Sequence, residues 1–531
     1  VGAMSNYNTI TSLAESPKQE GLLYAGTDDG LIQVTEDEGA NWKKIDLNSI
    51  RGLPAKPFVN DVRADLFDAS VVYAALDNHK YGDYKPYIIK SLDKGKSWKL
   101  INGDLPNKLL IWRLVQDHIN KDLLFAATEF GVYFTSNGGE NWVQLKGGMP
   151  TVPIRDIKIQ RRENDLVAGS FGRGIFILDD ITPLRTFNKK MMSAEAIMFP
   201  VKTAHWYRQS SRVGSQGDAE WIAKNPPFGA NFTYYMADKI KSKKDLRRAK
   251  EKKGVAQFPG WDALEDENRQ DGPSIVLLIK DANGNVVNTI KGSNKKGFNR
   301  ISWNLSYPSK SGERLQAPRG RRGFRGGGVM VTPGVYSVTL AKRVDGIHTQ
   351  LQDPVSFSVE PLFEGALPRK SYKEIDEFRE AAFVFQQDLT STNIALSRSQ
   401  KTIDAMLRAH NKATFPSNEL FKQLNDVKIA LLDIDKELHG DAVKDEIGER
   451  SNPTASDGNS LGWRALGNTY GPTDEHKGLL SRVQKQLKTV KEKLAPIVNS
   501  TLPRLGNDLR KTGAPWVEGQ GLITRTLRTV T

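Results

Sequence analysis

The chain has 531 residues, which exceeds one ordinary domain and is enough for about three or four domains of roughly 150 residues. Its 38% hydrophobic and 26% charged residues are typical of soluble globular proteins, and no stretch approaches the run of about 18 apolar residues that a membrane-spanning helix needs. The absence of cysteine excludes disulfides, thiolate metal sites and cysteine nucleophiles, and the net charge of +14 leaves open where the excess lies.

A repeated pattern dominates the first third of the chain. Three copies of Ser/Thr-x-Asp/Asn-x-Gly-x-x-Trp begin at Thr35, Ser91 and Thr135, and each follows two short apolar segments typical of β-strands. A fourth pair of such segments, at 165–178, ends in Asp179 and Asp180 without a tryptophan. A period of roughly 40–55 residues of short strands predicts the blades of a β-propeller.

The polar residues of the pattern have a structural explanation. An Asp or Asn side chain can accept backbone N–H bonds within its own turn, and the glycine two positions later can adopt a positive φ. The tryptophan then covers the turn. We therefore interpret these residues as turn residues: Asp37, Gly39 and Trp42; Asp93, Gly95 and Trp98; and Asn137, Gly139 and Trp142.

The three patterns resemble the Asp-boxes, or BNR repeats, of sialidases, sortilin-type propellers and many bacterial secreted proteins. Residues 168–176 look like the last blade of the bacterial sortilin-like proteins that are labelled glycosyl hydrolases. The resemblance implies propeller blades but says little about activity, because the Asp-box lies away from the central channel where propellers usually bind. It also implies a secreted, periplasmic or outer-membrane-associated protein of a bacterium, with any signal peptide outside this chain.

Alternating apolar segments with turns every ten or so residues follow from about residue 200 and predict a β-sandwich. The order of its motifs is similar to the FlgD-type Ig-like domain that follows the propeller in the same bacterial proteins, with Trp303 in the core. Two segments, 239–253 and 319–325, hold most of the excess positive charge. We interpret both as solvated loops, with contact to an anionic surface as the alternative, through Lys243, Lys244, Arg247, Arg248, Arg319, Arg321, Arg322 and Arg325.

Apolar residues recur at helical spacing from Ser371 onward and predict three helices that form an antiparallel bundle, the last one broken by Pro496. Residues 513–516 resemble the ending of the bacterial family, and 517–519 depart from it, so the resemblance covers nearly the whole chain. We expect a mostly β protein with an α-helical C-terminal part. Its expected domains are propeller blades at 1–190, an Ig-like β-sandwich with basic insertions at 191–365, and a helical bundle with its tail at 366–531.

Little in the sequence points to catalysis. The seven histidines are scattered, so we expect no metal site, and no motif calls for a cofactor. A Gly-x-Ser-x-Gly match at 458–462 lies in a polar linker, and the arginine triad of sialidases cannot be assembled from Arg113, Arg155 and Arg173. A glycoside hydrolase needs two carboxylates flanking a sugar cleft, for which the weak candidates near strand ends are Asp28, Asp29, Glu129, Asp156 and Asp179.

Two functions remain open. The first is a non-catalytic propeller protein, secreted or in the cell envelope, that binds a protein or glycan partner or acts as a scaffold. The alternative is a glycoside hydrolase acting on a polysaccharide through propeller carboxylates; nucleic acid is not expected as a partner. Because four units are few for a closed propeller, we also expect an N-terminal segment or a second chain to complete it.

Overall fold

The computed structural model describes residues 9–188, 191–209, 223, 225–254, 258–308, 329–449, 454–461 and 465–521. The chain divides into two compact units. One contains Val1–Pro200 with Tyr235–Asp238, and the other contains Val201–Tyr234 with Lys239–Thr531.

Four antiparallel sheets follow one another in the first unit, and we call them blades 1 to 4. Blade 1 consists of β1 (Ile10–Glu15), β2 (Leu23–Thr27), β3 (Ile32–Thr35) and β4 (Lys43–Ile45). Blade 2 consists of β5 (Phe58–Ala64), β6 (Val72–Asn78), β7 (Asp83–Ser91) and β8 (Lys99–Leu100). Blade 3 consists of β9 (Ile111–Gln116), β10 (Leu124–Thr128), β11 (Gly131–Thr135) and β12 (Val143–Gln144). Blade 4 has three strands, β13 (Ile154–Gln160), β14 (Asp165–Ser170) and β15 (Ile175–Leu178), followed by helix α1 (Thr182–Thr186).

The strands of every blade are hydrogen-bonded in chain order, as in the up-and-down blades of a β-propeller. The first strands of neighbouring blades contact one another, and apolar side chains fill the space between successive blades. Tyr24, Tyr73 and Phe125 are buried at equivalent positions in the three inter-blade cores. The predicted propeller blades are thus confirmed, and they form an open arc: among the described residues, the strands of blade 4 make no extended contact with those of blade 1.

A buried ion pair fastens α1 to blade 3. Asp117, in the turn after β9, is fully buried, and Arg185 of α1 donates two hydrogen bonds of 2.8 Å to its carboxylate. Asp117 also accepts the backbone N–H of Asn120 at 2.8 Å, and Arg185 donates to Asn164 at 2.7 Å. The carboxylate is therefore paired and hydrogen-bonded, as a buried charge requires.

A short strand, β16 (Ala196–Met198), lies near the end of Val1–Pro200 in the first unit. The second unit starts with a β-sandwich. The sandwich elements are β17 (Ala204–Trp206), β18 (Ala230–Met236), α2 (Lys243–Glu251), α3 (Trp261–Arg269), β19 (Ser274–Asp281), β20 (Val286–Gly292), β21 (Gly297–Trp303), β22 (Gly334–Val344), β23 (Ile347–Gln350) and β24 (Val355–Pro361). One sheet has the order β17-β24-β22-β19-β20 with β23 beside β22, and β18 lies beside β21 in another.

Aromatic rings fill the space between these sheets. The Trp303 ring lies 5.7 Å from that of Tyr336 and 6.3 Å from that of Phe357, and Phe232 lies 5.5 Å from Phe357. Trp303 is 1% exposed, and its indole N–H donates to the carbonyl of Ser306 at 2.9 Å. The predicted sandwich is confirmed, with Trp303 in its core.

The C-terminal helices are α4 (Tyr372–His410), α5 (Asn418–His439), α6 (Ala442–Glu446), α7 (Asp474–Pro496) and α8 (Leu502–Lys511). Ser371 and Ser417 cap α4 and α5 through their hydroxyls, and Gly440 ends α5. Buried leucine, isoleucine and valine side chains of α4, α5, α7 and α8 form one core, as the helical periodicity predicts. The predicted break at Pro496 is only partly correct, because a π-helical turn of five residues continues the helix into α8.

Candidate functional site

The first strand of every blade carries a β-bulge near its start. Its pairing with the second strand shifts at the same place in β1, β5, β9 and β13, which leaves Thr11, Asn60, Trp112 and Arg155 as the extra residues. A bulge re-aims a side chain and is common beside active sites. All four residues lie at the end of the blades where the first strand begins and the second strand ends. We call this end the rim.

The turns between the second and third strands also lie at the rim. In each blade, one residue of the second strand pairs with the residue of the first strand just before the bulge. The residue that follows it along the chain is equivalent in all four blades, and it is Asp28, Asp77, Glu129 and Phe171 in turn. Three blades thus present a carboxylate at this position, and blade 4 presents an exposed aromatic ring. The rim therefore combines acidic and aromatic side chains in a repeating arrangement.

Trp112 is the centre of a cluster that connects blades 2, 3 and 4. Its indole N–H donates to Oε2 of Glu129 at 3.0 Å, and its ring packs edge-to-face with that of His79, with the ring centroids 6.0 Å apart. The Arg155 guanidinium lies 3.7 Å above the Trp112 ring and 5.6 Å from the ring of Phe171. A cation over an aromatic face contributes about 0.5–2 kcal/mol depending on solvation, so the cluster holds Arg155 at the rim.

A cavity of about 380 Å³ opens at the rim between blades 1 and 2. Asp28, Asp29 and Lys56 line it from one side, and Phe58, Asp77, Asn78, Lys80 and Tyr81 complete the lining. Its size falls within the range of small-ligand pockets, which is about 300–1,000 Å³. The Lys80 ammonium lies 4.8 Å from the centre of the Phe58 ring, and Tyr81 is exposed. The cavity thus offers both charges and aromatic surface.

Two residues that line this cavity each carry a buried oxygen with no hydrogen-bond donor among the described residues. These oxygens are Oδ2 of Asp77 and Oδ1 of Asn78. The Asp77 side chain is 1% exposed; its other oxygen accepts the backbone N–H of His79 at 3.2 Å and contacts Nδ1 of the same residue. A buried acceptor without a donor costs about 1–3 kcal/mol, so such an oxygen calls for a donor from water or a ligand.

The rim holds four of the five candidate carboxylates, distributed over three blades. Asp28 accepts the N–H of Thr9 at 2.9 Å, Asp29 bonds the Thr27 hydroxyl, and Asp156 accepts the N–H of Ile157 at 2.8 Å. Glu129 is bonded by Trp112, as described above. Asp179 follows β15 at the opposite end of blade 4, where the neighbouring Asp180 donates its N–H to Asp165 at 2.9 Å. The fold therefore separates Asp179 from the other candidates.

The three arginines considered for a sialidase-like triad have different surroundings. Arg113 bonds the buried carboxylate of Asp61 at 3.1 Å and the Asn60 carbonyl at 2.9 Å. Arg155 lies over Trp112, and Arg173 is exposed in the turn between β14 and β15. Arg113 is thus already paired with a carboxylate of the protein.

The repeated Trp-containing turns lie at the end of the blades opposite the rim. Oδ1 of Asp37 accepts the N–H of Asn41 at 2.8 Å, Asp93 accepts that of Ser97 at 2.8 Å, and Asn137 accepts that of Asn141 at 3.1 Å. The glycines of these turns have positive φ, namely 97° at Gly39, 88° at Gly95 and 102° at Gly139. The indole N–H groups of Trp98 and Trp142 donate to the carbonyls of Gly95 and Ile101, each at 3.0 Å, whereas Trp42 is 42% exposed.

Helix α2 carries the first group of basic candidates, Lys243, Lys244, Arg247 and Arg248, where the sequence predicts a loop. Ser242 caps it, which explains why this charged segment is helical. Arg247 bonds Glu267 of the acidic helix α3 at 2.8 Å, and Lys243 lies 3.9 Å from Asp266. The positive charge of α2 is thus partly neutralised. Arg319, Arg321, Arg322 and Arg325 lie outside the described residues.

The described residues contain neither a membrane-spanning helix nor a metal-binding cluster. No helix among them is both long enough and apolar enough to cross a bilayer. In the same part of the chain, no group of three or more His, Cys, Asp and Glu side chains is arranged to hold a metal ion.

The chain matches no family model and no curated protein. Among solved structures it is similar to the GH74 xyloglucanase from Xanthomonas campestris, at 16% identity over 32% of this chain and 29% of that one, with a TM-score of 0.26. It is similar to the GH74 enzyme of Niastella koreensis at 20% identity over 37% and 31%, with a TM-score of 0.27. It is also similar to YCF48 from Cyanidioschyzon merolae, at 19% identity over 34% of this chain and 55% of that one, with a TM-score of 0.26.

The chain spans only about a third of the length of the two GH74 structures. At these TM-scores the similarity carries no argument about function, so the fold assignment rests on the sheets themselves. The sheets form a propeller arc and a β-sandwich, and helices form the C-terminal part of this mostly β protein.

Inspection of the sequence alone overlooks Asp77, Asn78, His79, Trp112 and Phe171. A signal for Asp77 was present, since aligning the repeats places it at the position of Asp28 and Glu129. No comparable signal marks Asn78 or His79, because β6 and β7, with 7 and 9 residues, are longer than the second and third strands of the other blades.

Proposed function

We propose that the chain is a non-catalytic binding protein whose rim holds a glycan. The observation that carries this proposal is a pair of buried acceptors without donors, Oδ2 of Asp77 and Oδ1 of Asn78, on residues lining a cavity that Phe58 and Tyr81 also line. Sugar hydroxyls donate to carboxylate and amide oxygens, and the C–H faces of sugar rings pack on aromatic rings. One ligand class thus satisfies both features of the cavity.

The rest of the rim supports an extended ligand. Beyond the cavity, the cluster of His79, Trp112, Arg155 and Phe171 continues the aromatic surface across blades 2 to 4. A chain of several sugar units could contact the cavity with one unit and this cluster with others. In line with the family resemblance, we place this binding in the secreted or cell-envelope fraction of a bacterium.

Binding is favoured over hydrolysis by the bonding of the carboxylates. A glycoside hydrolase needs one carboxyl group that delivers a proton and a second one that acts as nucleophile or base. At the rim, Glu129 accepts the Trp112 N–H, and Asp28 and Asp29 are bonded within their own turn and strand end. These bonds give each carboxylate a conformational role that needs no catalysis.

Titration calorimetry against neutral and acidic oligosaccharides tests the proposal. We expect either the neutral or the acidic oligosaccharides to bind. The substitution Asp77→Asn should weaken this binding roughly 10-fold or more, because an amide replaces a charged hydrogen-bond acceptor at the ligand. Asp122→Asn is the matched control: this aspartate pairs with Lys121 on the surface, away from the rim. Circular dichroism should show both variants folded.

The alternatives have distinct results. Turnover of a polysaccharide that Glu129→Gln abolishes would replace binding by hydrolysis. Binding that Asp77→Asn leaves intact would refute the assigned site. If no glycan binds while an envelope protein is retained and lost on Asp77→Asn substitution, the ligand is a protein segment.

A further inference from the structure

Helices α2 and α3 form an antiparallel hairpin in which no residue is buried. The backbone N–H of Lys243, at the start of α2, donates to Gln270 at 2.8 Å, and Arg247 bonds Glu267 at 2.8 Å. Gln270 also donates to Asp345, in the turn between β22 and β23, at 2.7 Å. The start of α2 and the end of α3 therefore form the end of the hairpin that is attached to the sandwich.

The opposite end of the hairpin lies away from this attachment. Because the two helices run antiparallel, the same register brings the end of α2 level with the start of α3. We call this end the tip and define it by five exposed residues on the two sides of 255–257, namely Lys250, Lys252, Lys253, Phe258 and Trp261. The backbone N–H groups of Lys252 and Lys253 donate to carbonyls of α2, so the lysines stand on the last turn of that helix.

Positive charge at the tip is left without a bound carboxylate. Two acidic side chains of the hairpin, Glu251 and Glu267, both bond Arg247. Among the described residues, no carboxylate forms an ion pair with the side chain of Lys250, Lys252 or Lys253. The first turn of α3 contributes one acidic residue, Asp262. The tip therefore keeps a net positive charge, because its three lysines outnumber this carboxylate.

Two large aromatic rings are exposed at the same end. Phe258 is 62% exposed and Trp261 is 78% exposed. Their ring centroids are 5.3 Å apart and their planes meet at 73°, so the two rings pack edge to face on each other. Single exposed apolar side chains are normal on protein surfaces, whereas contiguous ones mark contact sites. The tip thus combines an aromatic pair with uncompensated positive charge.

We propose that the tip docks on the surface of an anionic lipid bilayer, with Phe258 and Trp261 inserted among the headgroups and the three lysines beside acidic ones. Aromatic side chains favour the membrane–water interface, and each lysine near an anionic surface strengthens binding by about 5-fold. Apolar insertion and electrostatic attraction together give peripheral proteins their membrane affinity. The tip supplies both from residues close in sequence.

An acidic polysaccharide is less suited to the tip. It would satisfy the lysines, but a sugar ring packs on the flat face of an aromatic ring. The rings of Phe258 and Trp261 stand at 73° to each other and form a wedge, which favours insertion between lipids over stacking. The contact belongs to the second unit and is independent of the glycan proposed at the rim.

Flotation with phosphatidylcholine vesicles, with and without phosphatidylglycerol, tests the charge. We expect the chain to float only with the anionic vesicles, and less as salt is added. Replacing Lys250, Lys252 and Lys253 by serine should weaken this binding roughly 100-fold, at about 5-fold for each lysine. The matched control replaces three exposed lysines of the helical part, Lys412, Lys422 and Lys485, and should leave binding nearly unchanged although it removes the same charge.

A single fluorescent label tests the insertion, because the chain has no cysteine of its own. A polarity-sensitive fluorophore on Phe258→Cys should shift its emission to the blue with anionic vesicles. The same label on Phe415→Cys, at a phenylalanine that is 73% exposed between α4 and α5, should show no shift. Circular dichroism checks that each variant is folded.

Three results would overturn the proposal. The first is no flotation with anionic vesicles, or an equal loss of flotation in the two lysine variants, which would reduce the effect to net charge. The second is vesicle binding without a shift of the label at position 258. The third is binding of a soluble acidic polysaccharide through the tip lysines while anionic vesicles are not bound, which would make the polysaccharide the ligand.

Discussion

Asp37 and Asp93 hold their turns as carboxylates. Each accepts hydrogen bonds from a side chain and a backbone N–H four residues later, and these bonds lower the pKa of both groups to about 2. The pKa of an aspartate in an unfolded chain is about 3.9. Because the folded value is lower, these carboxylates stabilise the folded state above about pH 4, and their contribution is lost as the pH falls towards 2.

Asp93→Asn should therefore reduce the acid sensitivity of the protein. Asparagine already occupies the equivalent position in blade 3, where Asn137 accepts the N–H of Asn141, so we expect the variant to fold. Urea unfolding between pH 5 and about pH 2 measures the effect, and the decline in the free energy of unfolding should be smaller than in the unmodified chain. Asp122→Asn serves as the control; an unchanged decline in the Asp93 variant would contradict the assignment.

Between elements, buried polar contacts fasten parts of the arc that lie far apart in sequence. The turn after β9 and helix α1 are joined by Asp117 and Arg185, whose side chains are 0% and 9% exposed. The surface pair of Arg162 and Glu163, by contrast, involves an arginine that is 82% exposed. A buried pair is costly to break because the remaining charge is left without compensation.

Arg185→Ala should lower the free energy of unfolding by about 3–5 kcal/mol. Arg162→Ala removes a similar side chain from a solvated pair and should cost about 1 kcal/mol or less. Chemical denaturation of both variants provides the comparison, and Asp117→Asn in the Arg185→Ala background should recover part of the loss. Equal effects of the two arginine substitutions would show that burial of the pair does not matter.

At the scale of the whole molecule, two basic groups hold most of the excess positive charge. The basic residues of α2 lie beside the acidic residues of α3, whereas the sequence around 319–325 contains four arginines and no acidic residue. The charge that is available to an anionic surface therefore depends on pairing as well as on sequence.

Salt elution from heparin can separate the two basic groups. Replacing Arg319, Arg321, Arg322 and Arg325 by serine should lower the eluting salt concentration more than replacing Lys243, Lys244, Arg247 and Arg248. The reason is that carboxylates of α3 already bind part of the second group. Both variants lose the same formal charge, so they serve as controls for each other. The opposite order would show that α2 is the stronger contact.

The sequence by itself determined the architecture. The turns around Asp37, Asp93 and Asn137 recur at a blade-like period, and the strand before each is short and apolar, so local turn chemistry and patterning agree. Ser417 and Gly440 predicted the start and the end of α5, and the helical spacing from Ser371 onward predicted the start of α4. These features depend on neighbours a few residues away, which a sequence displays directly.

The tertiary structure alone decided the candidate site and the open ends. Asp77 is buried and Asp179 lies at the opposite end of its blade because strand register, not chain order, brings residues together. Likewise, Ile88 is buried and Ile175 exposed, although both stand in apolar third strands. Burial depends on whether another blade covers the face. That is a property of the packing between blades, and no residue carries it alone.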